Sequence, residues 1–158
     1  MITKTEKEIA APADVVWRVF SDVEHWPEWT ESVSTLTALD GPATPLQGPL
    51  GHRLRPGARF EIRQPRFPKL VWQVTEVEPG TSWTWVTHSP GATTTATHNV
   101  RAAGPDRTVV EQVLDQGGPL GSLVARLMAG TTRRYLEMEA AGLKARSEER
   151  ARDDAAAP

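Results

Sequence analysis

Along this chain the apolar positions change period, and each change marks an element. Residues 3–10 alternate charged with Thr and Ile side chains, the signature of a half-buried strand. Val16, Phe20 and Val23 then recur at spacings of four and three, with Trp17 beside them, which is one stripe of an amphipathic helix. Pro12 suits the start of that helix, because its fixed φ is already helical and its missing N–H would have had no partner there. Asp14 falls in the first turn, where the helix dipole favours a carboxylate. The Trp26-Pro27 pair ends the run near Asp22, since the proline ring disfavours helical geometry in the residue before it. A short helical turn over 24–29 follows, and it brings Trp26 close to Trp29.

From there the period is two. Residues 32–39 form a β-branched run, and 59–64 alternate so that Phe60, Ile62 and Gln64 share the apolar face. Residues 70–78 and 82–88 are strands separated by the Pro79-Gly80 turn, with Trp83 and Trp85 on one face of the second. Strands over 92–102 and 108–116 follow, and connections this short make antiparallel neighbours. In the last strand Val109 with Val113 competes against Val110 with Leu114 for the inward face. The inward set is taken as Val110, Gln112 and Leu114, although a slip of one residue inverts it. Leu120, Leu123, Val124, Leu127, Met128, Tyr135 and Met138 then recur at helical spacing, predicting one long amphipathic helix to about Arg146. Gly130 and Gly142 inside it imply a bend or a close neighbour. Residues 147–158, charged and then alanine-rich, are expected to be a disordered tail beyond a single domain over 1–146.

The order of elements is α+β. One long helix must cover the apolar face of an antiparallel sheet of about seven strands, and two short helices after the first strand hold them apart at one end. That arrangement leaves a hollow. The 158-residue chain has six Trp against one Tyr and three Phe. Indoles suit walls that are partly wet, because each carries a large apolar body and one N–H that needs a partner. Lys and Arg number 18 against 20 Asp and Glu, so no clustered basic face for nucleic acid is expected. The chain has no cysteine, which removes disulfides, thiolate metal sites and thiol nucleophiles together. No window approaches a membrane span and residues 1–8 lack an apolar signal core, so a cytoplasmic protein is expected. The oligomeric state, monomer or homodimer, stays open.

Four passages carry a resemblance: Ile9-Ala-Ala-Pro-x-x-Val-Val-Trp17, Asp22-x-x-x-Trp26-Pro-Glu-Trp29, the Trp72-x-Val-x-Glu-Val-Glu-Pro-Gly80 strand, and the helix entry Gly118-Pro-Leu-Gly121. Together they resemble the START/Bet v 1-like superfamily, and more narrowly its bacterial polyketide cyclase/dehydratase and lipid-transport branch. The resemblance runs from Ile2 to about Leu143. It implies a helix-grip fold, a curved sheet around the long helix, with a deep apolar cavity. It also implies an inward face carrying Phe60, Ile62, Gln64, Trp72, Val74, Trp83, Trp85, Ala96, His98 and Val100.

Of the four histidines only His98 lies mid-strand on the inward face. It either moves a proton in a cyclisation or dehydration, where enolisation of a carbonyl is the barrier, or simply hydrogen-bonds a neighbour. Tyr135 points from the long helix toward the sheet, and its hydroxyl serves a ligand carbonyl or an internal water. Arg63 and Arg66 either fork over a cavity mouth or lie on a solvated edge. The spacing of His and carboxylates matches no metal motif, and no glycine-rich phosphate loop or serine elbow is present, so neither metal nor cofactor is expected. The expected partner is therefore a small hydrophobic molecule. It would be held by Trp29, Phe60, Ile62, Gln64, Trp72, Val74, Trp83, Trp85, His98, Val100, Gln112, Leu127 and Tyr135. Two alternatives remain: a polyketide cyclase or dehydratase using His98, and a co-chaperone-like interaction module using the Pro/Gly-rich loop over 40–57.

Overall fold

The computed structural model describes residues 1–40 and 54–158. Strand β1 (Ile2–Ile9) leads into helix α1 (Ala13–Ser21) and a 3₁₀ segment, Val23–Glu28. Strands β2 (Thr35–Ala38), β3 (Arg59–Arg63), β4 (Leu70–Glu78), β5 (Ser82–Ser89), β6 (Ala92–Gly104) and β7 (Arg107–Gly117) follow, and helix α2 (Gly121–Ala156) ends the chain. The seven strands form one sheet in the order β1-β7-β6-β5-β4-β3-β2, and every pairing is antiparallel. Register shifts at Val74/Glu76 and Ala102/Gly104 add an extra residue to one strand of each pair, a device that bends a sheet. This is the helix-grip architecture that the resemblance implies, with the antiparallel sheet and long helix that the pattern predicts. Most of the interaction-module loop, residues 41–53, lies outside the described residues.

The start of α1 behaves as its sequence dictates. Pro12 has φ −58°, and its carbonyl accepts the first helical bond from Val16 N–H at 3.1 Å. Val15, Val16, Trp17 and Phe20 are buried, and the helix stops at Asp22. The aromatic turn is then locked from within. Trp26 stacks on Phe20 with ring centroids 5.6 Å apart, while its indole N–H donates to Phe20 O at 2.9 Å. Burial of both the ring and its only donor makes Trp26 a fixed part of the wall.

The doubtful face of β7 resolves as expected. Val110 and Gln112 are buried and Leu114 half-buried, because each sits opposite an inward residue of β6: Val100, His98 and Ala96 respectively.

Helix α2 differs from expectation at both ends. Leu120, Leu123, Val124 and Leu127 are exposed, Leu127 at 76%, and the buried side of the first turns is instead Gly121 and Ala125. The physical reason is closeness: a Cβ on Gly121 would lie 3.6 Å from the Gln116 backbone, so small side chains face the sheet and the leucines turn outward. At its far end the helix does not stop near Arg146. It runs to Ala156 because it is tied down, with Ser147 fully buried, Ala151 against the core, Ala10 N–H donating to Glu148 Oε1 at 2.9 Å, and Arg18 paired with Asp154 at 2.7 Å. Its Ala, Arg and Glu content also favours helix intrinsically. Among the described residues no helix is long and apolar enough to cross a membrane.

Candidate functional site

Between the inner face of the sheet, the 3₁₀ segment and α2 lies a cavity of about 110 Å³. Indoles of Trp26, Trp72 and Trp85 wall it, with Ile62, Ala96 and Leu136. The three rings meet at angles: Trp72 and Trp85 have centroids 5.4 Å apart at 41°, and Trp26 and Trp85 are 5.7 Å apart at 61°. Polar groups reach it from several elements, namely Gln64, Thr87, His98, Thr132, Tyr135 and Glu139. A larger groove between α1 and α2 is a surface feature lined by ion-paired side chains such as Arg18 and Asp154, and Arg146 and Glu28.

Ile62, Gln64, Trp72, Trp85, His98 and Tyr135 all line this cavity. The others do not. Phe60, Val74, Trp83 and Val100 are buried in the hydrophobic core and do not line the cavity, and Gln112, also buried, adjoins it only through its hydrogen bond to Glu139. Trp29 leans on Trp26 with centroids 5.4 Å apart, and its carbonyl rests against Gly142, so it faces the outer groove. Leu127 projects away from the sheet. Arg63 and Arg66 are both exposed.

His98 is 3% exposed, stacked on Trp83 with centroids 4.3 Å apart and planes at 10°. The edges of Phe20 and Trp85 close over it at 5.3 Å and 5.5 Å. Burial among apolar rings penalises the cation and holds its pKa down to about 3, against a smaller opposing contribution from the Trp83 backbone. The imidazole is therefore neutral at physiological pH. Its Nδ1 has no partner among the described residues, and neither does Trp83 Nε1. The Tyr135 hydroxyl is already committed: it donates to Pro65 O, while the ring meets Phe67 edge-on at 5.5 Å. It pins the turn between β3 and β4 onto α2.

The strongest chemistry in the cavity comes from a residue that the apolar pattern passes over. Glu139 is 7% exposed, and its carboxylate accepts from Ser32 Oγ and from Gln112 Nε2, both at 2.9 Å. Because Ser32 spends its one hydroxyl proton on Glu139, the 2.9 Å contact between Thr30 Oγ1 and Ser32 Oγ has Thr30 as donor. Burial pushes the Glu139 carboxyl up to about 7, although both hydrogen bonds favour its ionised form and work the other way. Gln112 Oε1 has no partner. The signal for Glu139 was present in the chain: Thr132, Tyr135, Leu136, Glu139 and Leu143 fall at i, i+3, i+4, i+7 and i+11, one helical face, and all are buried. Reading only apolar residues for that face omits it. Among the described residues no three His, Asp or Glu side chains converge to hold a metal ion.

The family model described as polyketide cyclase / dehydrase and lipid transport matches residues 2–148. Among solved structures, a START superfamily protein from Mycobacterium smegmatis superposes with a TM-score of 0.70 at 18% identity, over 94% of this chain and 97% of that one. A hypothetical protein from Helicobacter pylori gives 0.74 at 15% identity, over 93% and 88%. A point mutant of norcoclaurine synthase from Thalictrum flavum, solved with a transition-state analogue, gives 0.69 at 17% identity, over 95% of each chain. Among curated proteins none matches by sequence. At such identities the structural likeness establishes the fold, and the chemistry has to be argued from the side chains.

Proposed function

This chain belongs to the polyketide cyclase / dehydrase and lipid transport family, and from that premise we propose that it binds a small hydrophobic molecule, lipid-like or polyketide-like, in the cavity between sheet and α2. The observation that carries the reading is an indole-walled apolar cavity with a few polar groups converging on it, the general form of a small-molecule site. Its size limits the occupant. An engineered apolar cavity of ~150 Å³ takes one benzene, so about 110 Å³ receives a small ligand or the end of a larger one. A whole polycyclic chain requires side chains of the wall to move.

The test uses the indoles as reporters. Titration with a panel of uncharged and cationic lipids and aromatic polyketides, followed by tryptophan fluorescence, should shift the emission of Trp26, Trp72 and Trp85. Mass spectrometry of heat-denatured protein should release a co-purified apolar compound. Silence in both across the panel would sink the reading.

A second reading, cyclisation or dehydration, gains support from Glu139 more than from His98. A proton-transfer group works best with a pKa near the ambient pH, which Glu139 has at about 7 and His98 lacks at about 3. With a defined polyketide intermediate, Glu139→Gln should abolish turnover while His98→Asn retains part of it; the reverse result restores His98 to the role.

A further inference from the structure

Among the described residues that line the cavity there is one side chain able to carry a full charge near neutral pH, Glu139, and there is no Lys or Arg. No ion pair to Glu139 exists among the described residues, and its two hydrogen bonds come from uncharged donors. A buried carboxylate without a cation is an expensive arrangement, since the charge has lost water and gained no counter-charge. The rings around it are of the kind that offset this. Trp26, Trp72 and Trp85 meet at 41° and 61° and form one continuous aromatic wall, and Phe67 and Tyr135 add two more rings to the lining. Indole faces carry negative electrostatic potential and attract organic cations, most strongly where water is excluded. Two buried polar atoms without partners, the acceptor Gln112 Oε1 and the ring nitrogen His98 Nδ1, belong to residues that the strands pair directly across from each other, and Gln112 bonds Glu139 itself.

Resting on the reading that the cavity binds a small apolar molecule, we propose that the ligand carries an organic ammonium group, its charge answered by the Glu139 carboxylate and its carbon shell by the indoles of Trp26, Trp72 and Trp85. The cavity volume of about 110 Å³ suits an alkylammonium head with a few carbons. Carboxylate and phosphate ligands are disfavoured by like charge. A neutral ligand leaves Glu139 without a counter-charge unless it takes up a proton.

Choline and its uncharged carbon isostere 3,3-dimethylbutan-1-ol separate these cases, because they share shape and differ in charge. Binding to the full chain is followed by tryptophan emission and by the indole N–H signals in NMR. At pH 8 choline should bind about tenfold more tightly than the isostere, the scale of a desolvated cation–π contact with a carboxylate behind it. Glu139→Gln, which keeps the shape and an acceptor for Ser32, should bring the two ligands within about twofold. The wild-type chain supplies a second measurement: the preference for choline should grow from pH 6 to pH 8 as Glu139 ionises. Neither ligand titrates there. Of the groups facing Glu139, Ser32 beyond the 3₁₀ segment and Gln112 on β7 are uncharged, His98 on β6 stays neutral, and Tyr135 on α2 is bonded to Pro65.

Equal or tighter binding of the isostere at pH 8 overturns the ammonium assignment while leaving the cavity reading intact. A choline preference that survives Glu139→Gln, or that is flat with pH, removes Glu139 as its cause and overturns the proposal. If neither compound perturbs the indoles while members of the lipid and polyketide panel do, the ammonium assignment is overturned and the cavity reading stands; silence of the panel as well removes both.

Discussion

Burial moves two side chains of one cavity in opposite directions: Glu139 up to about 7 and His98 down to about 3. Their effects on stability against pH are therefore opposed. Glu139 binds its proton more tightly folded than unfolded, so its contribution is fully present below the ordinary carboxylate range and is lost as pH rises toward and through about 7. For His98 the proton binds more tightly to the unfolded chain, so its contribution is present above the ordinary histidine range and is lost as pH falls toward about 3. Between pH 6.5 and 8 Glu139 acts together with the exposed His25, which its hydrogen bond to Asp22 holds above the ordinary histidine range. Both make wild type lose stability across that window, so the Glu139 share is the difference between wild type and Glu139→Gln. Glu139→Gln should flatten the slope, and the total at stake is roughly 3 kcal/mol if the whole displacement of the carboxyl is expressed. Urea denaturation of both proteins at pH 5.5, 6.5 and 8 measures it, and parallel curves would refute the burial of an ionisable Glu139. Sequence reasoning found His98 because a strand has period two and the register is simple. It passed over Glu139 because a carboxylate on a buried helical face contradicts the hydrophobic expectation, and its partners Ser32 and Gln112 lie 107 and 27 residues away along the chain.

At the level of elements, α2 shows how much a pattern reveals without neighbours. Its existence and its approximate start were legible, and so were the buried stripe of α1 and the inward face of β7, because each depends on local period alone. Which side of the first turns of α2 meets the sheet was not legible, since close approach selects Gly121 and Ala125 over the leucines. The two interior glycines make this testable. A Cβ on Gly142 would stand 2.0 Å from the carbonyl oxygen of Trp29, backbone that cannot rotate away, whereas nothing lies within 4 Å of the same atom on Gly130. Gly142→Ala should therefore destabilise by ~1–3 kcal/mol or more through overpacking. Gly130→Ala should stabilise by up to about 1 kcal/mol through helix propensity. Thermal melts of the two variants should shift in opposite directions; a shift of the same sign would contradict the packing of α2 on the 3₁₀ turn. The last turns offer a second check. Removing residues 147–158 deletes the buried Ser147, the Glu148 acceptor of Ala10 N–H and the Asp154 partner of Arg18. The truncated chain should lose ~1–3 kcal/mol, the range of one charge-assisted hydrogen bond with its packing, and an unchanged melt would mean that this end of the helix adds nothing.

For the molecule as a whole, the question is whether the cavity is a site or a packing remainder, and here alternation patterns are silent. A strand's period assigns a face to each residue, but the space left between that face and a helix depends on how individual side chains interdigitate. Thus Trp72 and Trp85 border the cavity, whereas Trp83, on the same inward face of β5 as Trp85, is buried behind His98. Natural interiors pack so that few voids exceed a water, so a cavity bordered by three indoles and a buried carboxylate forgoes side-chain contacts that selection for stability alone would supply. Ala96 allows fold and function to be separated. It is 6% exposed, lies on the cavity floor, and stands across from Trp85 on one side and Leu114 on the other. Ala96→Leu places three further carbons at the wall of the about 110 Å³ cavity, opposite Trp85, and removes no partner of Glu139, whose hydrogen bonds come from Ser32 and Gln112. If the cavity is a site kept open for a ligand, the variant should melt at or above the wild-type temperature, with a gain of up to ~2 kcal/mol as in other cavity-filling changes. Its tryptophan emission should no longer respond to ligands that perturb the wild-type chain. Calorimetry and fluorescence on the same preparations read the two effects together. A variant that is stabilised and still responds normally would move ligand binding elsewhere on the molecule, and one that is markedly destabilised would mean that the space beside Ala96 is already filled.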